Sequence, residues 1–452
     1  MKKSRFLIRA VRGDRGFTIA ELLVTMFIVA AILGSVVASF LTLARSFKSE
    51  TKSTESQMES VLSLELLRFD LEEAGYGLPE GKLSNGTCSP PLSSSAVTFN
   101  NIPYLEYPAG YTPADAANYT PNKYTTDPAS FNDSQGAATS GCEPRPIVLD
   151  HNTNFTPSNA NGSDVLVIKS LLVDRSDTSR KWTLLDSTGK YVVWNDTKWD
   201  LTVNTDRAIM VSSTRQLLNG GFTFVAAPSP VPTTPGQFNI IYGVNSTTNL
   251  RMPFNRVDYY LQRACSRITS TTCTAPYPQH PYPQQCHPSG YTLYRGVLSQ
   301  VNGTRTEQPV MDCVIDFQVA LGIDTNCTDT IGTGCTGTLT WCRYNRTCNS
   351  SSDPNCTAAP CTDPTINPMT YLDTAQHIRQ YLKQVKAFVL THDGKMDPNF
   401  TYSNTSITIG DADITLKTYN LTALPNYANY RWKLQKIDLK LNSLGVNYEN
   451  QP

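Results

Sequence analysis

Residues 16–44 read GFTIAELLVTMFIVAAILGSVVASFLTLA. From Phe17 to Ala44 there are 28 residues without Lys, Arg, Asp or His, long enough to cross a bilayer as a helix. One acid, Glu21, sits near the start of the run. A carboxylate in hydrocarbon costs at least roughly 2–4 kcal/mol unless something pairs with it. The reading of this stretch therefore turns on what Glu21 is for.

The flanks bear on the answer. Residues 1–16 carry Lys2, Lys3, Arg5, Arg9, Arg12 and Arg15 against a single acid, Asp14. Such a basic flank holds the N-terminus in the cytoplasm and sends the chain after Ala44 outside. The apolar run ends SFLTLARSFK, without the small-residue cleavage pattern of a secretory signal, so the segment is expected to stay on the mature protein.

A Gly directly before Phe, a Glu at the fifth position counted from that Phe, a basic leader before and an apolar helix after make a specific combination. Gly16-Phe17-Thr18-Ile19-Ala20-Glu21-Leu22-Leu23-Val24 resembles the processing motif of type IV pilins and pseudopilins. The resemblance implies that a prepilin peptidase cuts between Gly16 and Phe17 and then methylates the new amine of Phe17. Glycine suits a scissile position because a Cβ would obstruct the protease's approach to the backbone. The cut creates a cation within the same apolar layer as Glu21, and a paired charge costs far less there than an isolated one. In related filaments the partner is the N-terminal amine of a neighbouring subunit.

The bulk composition agrees with export. The chain has 452 residues, 17% charged, with formal net charge zero. Without residues 1–16 it holds 32 Lys+Arg against 37 Asp+Glu, a net −5, which argues against a basic nucleic-acid-binding surface. Twelve cysteines lie at Cys88, Cys142, Cys265, Cys273, Cys286, Cys313, Cys327, Cys335, Cys342, Cys348, Cys356 and Cys361. The number is even and no CxxC occurs, so a set of disulfides in an oxidising compartment is expected rather than a zinc ribbon or a redox pair.

Beyond the apolar run, residues recur at helical spacing in two rows. One row is Met58, Val61, Leu64, Leu67 and Leu71, and the other is Leu62, Leu66 and Phe69. Ala74-Gly75-Tyr76-Gly77-Leu78-Pro79 supplies the stop. This predicts one N-terminal helix over 17–76, transmembrane over about 17–44, spanning about 87 Å to Ala74. The two rows make a broad apolar surface, as expected if a β-rich head over 77–452 wraps part of the helix. Residues 80–160 read as long loops with isolated strands. Strands are expected in SDVLVIKSLLV (163–173), DRAIMVSS (206–213), FTFVAA (222–227), NRVDYYLQR (255–263), YTLYRGVL (291–298) and CVIDFQVALGID (313–324). Near the C-terminus a short helix leads into VKAFVL (385–390), and RWKLQKIDLKLNSL (431–444) forms the last strand. Its apolar phase shifts across Gln435-Lys436, which predicts a β-bulge. The fold class is α+β, a long N-terminal helix carrying an antiparallel sheet. The block at about 325–372 holds six cysteines and few aliphatic residues; it reads as a cysteine-rich insertion ordered by disulfides.

Later blocks narrow the resemblance. LRFDLEEAGYG at the helix end looks like the junction of PilW-like minor pilins. So does the order of a Ser-Asp strand, a VDYYL strand, an LYRG strand, a VIDFQVALGID strand, a QVKAFVLT strand and a closing YRWKLQKIDLKLNSLG strand. The 325–372 insertion and the length of the head depart from that pattern. The resemblance implies a pilin-like head and a role in starting or capping a type IV pilus, with the helix meeting the major pilin and other minor pilins. It further implies an inner-membrane assembly platform as partner and membrane lipid around the apolar helix, with the head periplasmic before assembly and near the pilus tip after it. A minor pseudopilin of a type II secretion system shares the motif and overall plan. A membrane-anchored adhesin or enzyme is the alternative of another class.

Catalytic signatures are missing. His151, His280, His287, His377 and His392 lie in no HExxH, and no GxSxG, P-loop or GxGxxG context occurs, so no catalytic residue or cofactor is expected. Asp324, Asn326 and Asp329 in DTNCTD could offer oxygen ligands to Ca²⁺, although ordinary Asx turns explain the triplet more simply.

Overall fold

The protein was analysed as a computed structural model, which describes residues 18–80, 98–99, 102–103, 106, 133, 144–150, 162–218, 223–246, 250, 252–262, 282–303, 305–327, 335–343 and 361–441. The chain divides into two units, one ending at Glu55 and one beginning at Ser56. Helix α1 runs over Ile19–Glu72. In the first unit its segment Ile19–Ala44 has a mean hydropathy of 2.5 and none of it is buried. It is long and apolar enough to cross a membrane.

In the second unit the end of α1 enters the core. Leu67, Leu71 and Ala74 are buried against strands of the main sheet, with Leu64 and Leu66 packed at the edge. Ser63 donates its hydroxyl to the Val310 carbonyl. Met58, Val61 and Leu62 stay exposed. The head therefore wraps part of the helix, its last turns, and leaves the start of both rows uncovered. The stop is as expected: Gly75 and Gly77 have φ of 80° and 70°. The Gly75 amide then donates to the Lys169 carbonyl (2.9 Å) and the Leu171 amide to the Tyr76 carbonyl (3.0 Å). A Cβ on Gly77 would lie 2.2 Å from Leu171 Cδ1, so a larger residue would displace that side chain and strain a backbone held at positive φ.

The strands follow in chain order. β1 (Thr98–Phe99) and β2 (Ile102–Pro103) form a small ladder, then come β3 (Ile147–Asp150) and β4 (Val165–Ser170). A second sheet is made by β5 (Trp182–Asp186), β6 (Arg207–Val211), β7 (Leu217–Leu218) and β8 (Phe238–Asn245), in the order β5-β8-β6-β7. β9 (Asn255–Gln262), β10 (Tyr291–Leu298), β11 (Arg305–Ile323) and β12 (Thr340–Cys342) lead to short helices α2 (Met369–Leu372) and α3 (Ala375–Tyr381). β13 (Leu382–Asp393), the hairpin β14 (Ser406–Gly410) and β15 (Thr415–Asn420), and β16 (Arg431–Lys440) complete the fold. The main sheet is antiparallel, ordered β16-β13-β11-β10-β9-β4-β3, with β12 added to β11. An apolar helix followed by antiparallel sheets is the α+β arrangement expected. The expected strand at FTFVAA is reduced to an isolated bridge, Arg207↔Thr223, among the described residues. β8 was not expected. Its Gly243 lies against another backbone, where a Cβ would meet the Thr178 carbonyl at 2.1 Å, and that glycine breaks the apolar run from which a strand is read.

No bulge interrupts β16. Its pairing with β13 runs unbroken from Gln384↔Lys440 to Asp393↔Arg431. The phase shift has another cause. Trp432 and Leu434 pack with the β14–β15 hairpin residues Ile409, Ile414 and Leu416. Ile437, Leu439 and Leu441 pack with the cluster that holds Leu67 and Leu71. A strand covered on opposite faces at its two ends changes apolar phase without changing register. The irregularity falls in β11 instead: Cys313 has φ 58°, and the pairings with β10 and β13 both shift near it.

The 325–372 insertion is tied at its described margins by Cys327–Cys335 and Cys342–Cys361, and it donates β12, which pairs with the end of β11 at Leu321–Ile323. Cys342 and Cys361 are both buried in the main core. Replacing both by Ser should reduce stability by about 3 kcal/mol, given the 19-residue separation they close. Urea unfolding of the double variant checks this, and a change within about 0.5 kcal/mol would mean that other contacts hold the loop.

Candidate functional site

Glu21 lies on α1 in the first unit, exposed, and has a local partner. Both the amide and the hydroxyl of Thr18 donate to Glu21 Oε2 at 3.0 Å, and the Glu21 amide donates back to Thr18 Oγ1 at 3.3 Å. This reciprocal pair is a capping box, which satisfies backbone donors at the helix start. The signal was in the sequence, since Thr18-Ile19-Ala20-Glu21 before an apolar run fits the S/T-x-x-E pattern, but the expectations above do not use it. Gly16 and Phe17 lie outside the described residues. The side chains from Leu22 to Leu43 offer a continuous exposed apolar surface, with Phe27 76% and Phe40 68% exposed. Such a surface is stable only in lipid or against other apolar helices.

In the second unit, three blocks singled out in the sequence meet in one buried network. Asp70 comes from LRFDLEEAGYG on α1, Tyr259 from VDYYL on β9 and Arg295 from LYRG on β10. Asp70 is fully buried. Its Oδ2 accepts from Tyr259 Oη at 2.6 Å and from Arg295 Nε at 2.6 Å, and Oδ1 accepts from Arg295 Nη2 at 3.2 Å. Arg295 Nη2 also donates to the Val173 carbonyl at 2.6 Å. Burial pushes the Tyr259 hydroxyl well above its usual range, and the Asp70 charge adds to this. Burial opposes the Arg295 charge, but its bonds to Asp70 outweigh that and the guanidinium holds its proton more firmly than usual. The bidentate pair fixes the helix rotation over the sheet. Arg175 adds a contact to Asp70 Oδ1 at 3.6 Å and lies 4.9 Å from the Phe69 ring centre. Past the helix stop, Glu80 accepts from Arg379 at 2.7 Å.

The other expected sites fall out as follows. Cys286–Cys313, Cys327–Cys335 and Cys342–Cys361 are bonded, and no described cysteine is free. Cys88, Cys142, Cys265, Cys273, Cys348 and Cys356 lie outside the described residues. Asp324 is buried and its carboxylate accepts from the amides of Asn326 (3.0 Å) and Gly337 (2.6 Å), closing the turn around Cys327–Cys335. Asp324 and Asn326 thus form the Asx turn, and Asp329 lies outside the described residues. Asp324 is grouped with Cys327 and Cys335, whose sulfurs are spent on each other. His287 and His392 are buried beside Tyr430 and Trp432, where the His287 amide donates to His392 Nε2 at 2.8 Å. They belong to packing. No family model, no curated protein and no solved structure matches this chain.

Proposed function

We propose that this chain is a PilW-like minor pilin that helps to start or cap type IV pilus assembly. The reading rests on one conjunction, the Gly16-Phe17 junction five positions before the end of the GFTIAE motif at Glu21, opening an apolar helix segment that its own unit leaves uncovered. A prepilin peptidase cuts before Phe17 and methylates the exposed amine. The apolar segment then sits in the inner membrane until it packs among the helices of other minor pilins and the major pilin. Glu21 pairs there with the amine of a neighbouring subunit. The large head with its disulfide-tied insertion suits a tip position, where nothing has to stack above it. The Asp70–Arg295 pair holds the last turns of α1 to the sheet of that head.

Mass spectrometry of the protein from cells with an active prepilin peptidase tests this. The expected product begins at N-methyl-Phe17. A product that keeps Met1 would remove the pilin reading and leave a membrane-anchored adhesin or enzyme. Deletion then separates the two filament systems: loss of surface pili supports the proposal, whereas blocked protein secretion with normal pili would assign the chain to a type II secretion pseudopilin.

A further inference from the structure

Of the five tryptophans, Trp341 and Trp432 are buried, while Trp194 and Trp199 are 41% and 47% exposed on one short loop of the second unit. The loop, Tyr191-Val192-Val193-Trp194-Asn195-Asp196-Thr197-Lys198-Trp199-Asp200, is tightly built. Its root lies along β5, with the Val192 amide on the Leu184 carbonyl (3.0 Å) and Thr183 Oγ1 on the Val192 carbonyl (2.6 Å). Tyr191 packs edge-on against Phe224 with centroids 5.3 Å apart. Asp200 clasps the tip, accepting from the Trp194 amide at 2.7 Å and from the Asp196 amide at 3.1 Å. The Lys198 amide donates to Asp196 Oδ1 at 2.9 Å, the Trp199 amide to the Asp196 carbonyl at 3.0 Å, and Asn195 is held at φ 58°.

The arrangement of Trp194 indicates what the loop presents. Its indole Nε1 donates inward to the Trp182 carbonyl at 2.9 Å, and its ring stands against Trp182 at 5.1 Å. The polar atom is consumed inside, so what faces solvent is aromatic carbon. Tryptophan at a membrane interface does the opposite, keeping its N–H on the wet side. A loop that fixes one indole and leaves a second part-exposed five residues on, with Asn195, Asp196, Thr197 and Lys198 exposed between them, matches a ligand with one apolar C–H face and a hydroxyl-bearing edge. A pyranose ring has both. The loop carries two acids, Asp196 and Asp200, against one base, Lys198, which disfavours an anionic ligand and leaves a neutral sugar.

We propose that the Trp194–Trp199 loop is a binding site for neutral saccharides, with the two indoles as stacking faces and Asn195 to Lys198 as the hydrogen-bonding edge. A loop already rigid loses little entropy on binding, so a weak ligand can still be held selectively. This inference does not depend on the pilin reading. The test uses the full chain in detergent on an array of neutral hexose oligosaccharides, with a parallel binding assay on phosphatidylcholine vesicles. Wild type is expected to bind one or more of the oligosaccharides. Trp199→Ala should weaken that binding by about tenfold or more at an unchanged melting temperature, and Trp194→Ala should weaken it as much with a lowered melting temperature, because it gives up the bond to the Trp182 carbonyl. Trp199→Phe, which keeps an aromatic face, should recover part of the loss. Absence of binding across the array, binding untouched by both alanine variants, or tryptophan-dependent binding to vesicles alone would each overturn the proposal.

Discussion

Asp70→Asn is expected to lower the stability of the second unit by about 3–5 kcal/mol, the largest stability loss from a single side chain considered for this protein. The substitution changes almost no volume, so the loss is electrostatic. It leaves the Arg295 guanidinium, which is also buried, facing a neutral amide in a site closed to water. An uncompensated buried cation is far more costly than a buried pair is favourable. The comparison that proves the cause is the double variant Asp70→Leu with Arg295→Met. Removing both charges together should restore much of the stability, because a buried pair replaced by apolar groups of similar size is often close to neutral. Urea unfolding of the wild type, the Asp70→Leu and Arg295→Met single variants and the double variant gives the coupling directly. A cost below about 1 kcal/mol for Asp70→Asn, or strict additivity in the cycle, would show that Leu67 and Leu71 alone hold the helix.

That network also shows where sequence reading reaches its limit. The blocks LRFDLEEAGYG, VDYYL and LYRG stand out one by one, and each forms the element its pattern predicts. Their meeting does not show, because Asp70 lies 189 residues from Tyr259 and 225 from Arg295, and periodicity reports only apolar faces. In the periodic reading, Asp70 is simply a polar residue between Leu67 and Leu71. The shift in β16 was visible but ambiguous. A change of apolar phase means a bulge if one face of the strand is buried, and means two covering layers if the two ends bury opposite faces. The β14–β15 hairpin that supplies the second layer has short, half-polar strands, so it was not legible as a cover. The apolar rows of α1 do not mark where the contact begins, for a similar reason: Met58, Val61 and Leu62 have the right spacing, but the sheet begins only at the level of Ser63 and Leu64. By contrast, the helix stop was fully readable, since Gly75 and Gly77 adopt the left-handed conformations for which glycine is favoured.

Glu21 carries the prediction with the largest functional effect. The capping box gives it a role within its own chain, so loss of function in Glu21→Ala alone would not prove an ion pair. Two further variants separate the roles. Glu21→Gln keeps an oxygen able to accept from the Thr18 amide but removes the charge, while Thr18→Ala leaves the charge and breaks the reciprocal box. Loss of a cap costs about 1 kcal/mol of helix stability, which a helix embedded in lipid or in a filament tolerates. In the proposed contact between subunits, loss of the charge would leave the methylated amine unpaired in an apolar layer, at roughly 2–4 kcal/mol for each contact. Filament incorporation is therefore expected to fall by about tenfold or more in both Glu21→Ala and Glu21→Gln, and to stay close to wild type in Thr18→Ala. Cleavage before Phe17 should proceed in all three. Immunoblots of sheared filaments against whole-cell levels measure incorporation, and the mobility shift of the processed chain reports cleavage. If Glu21→Gln assembles normally while Thr18→Ala fails, Glu21 serves the helix start and the charge pairing proposed for it is wrong. The order of the three variants thus decides whether this acid in an apolar run is a local cap or half of a contact between subunits.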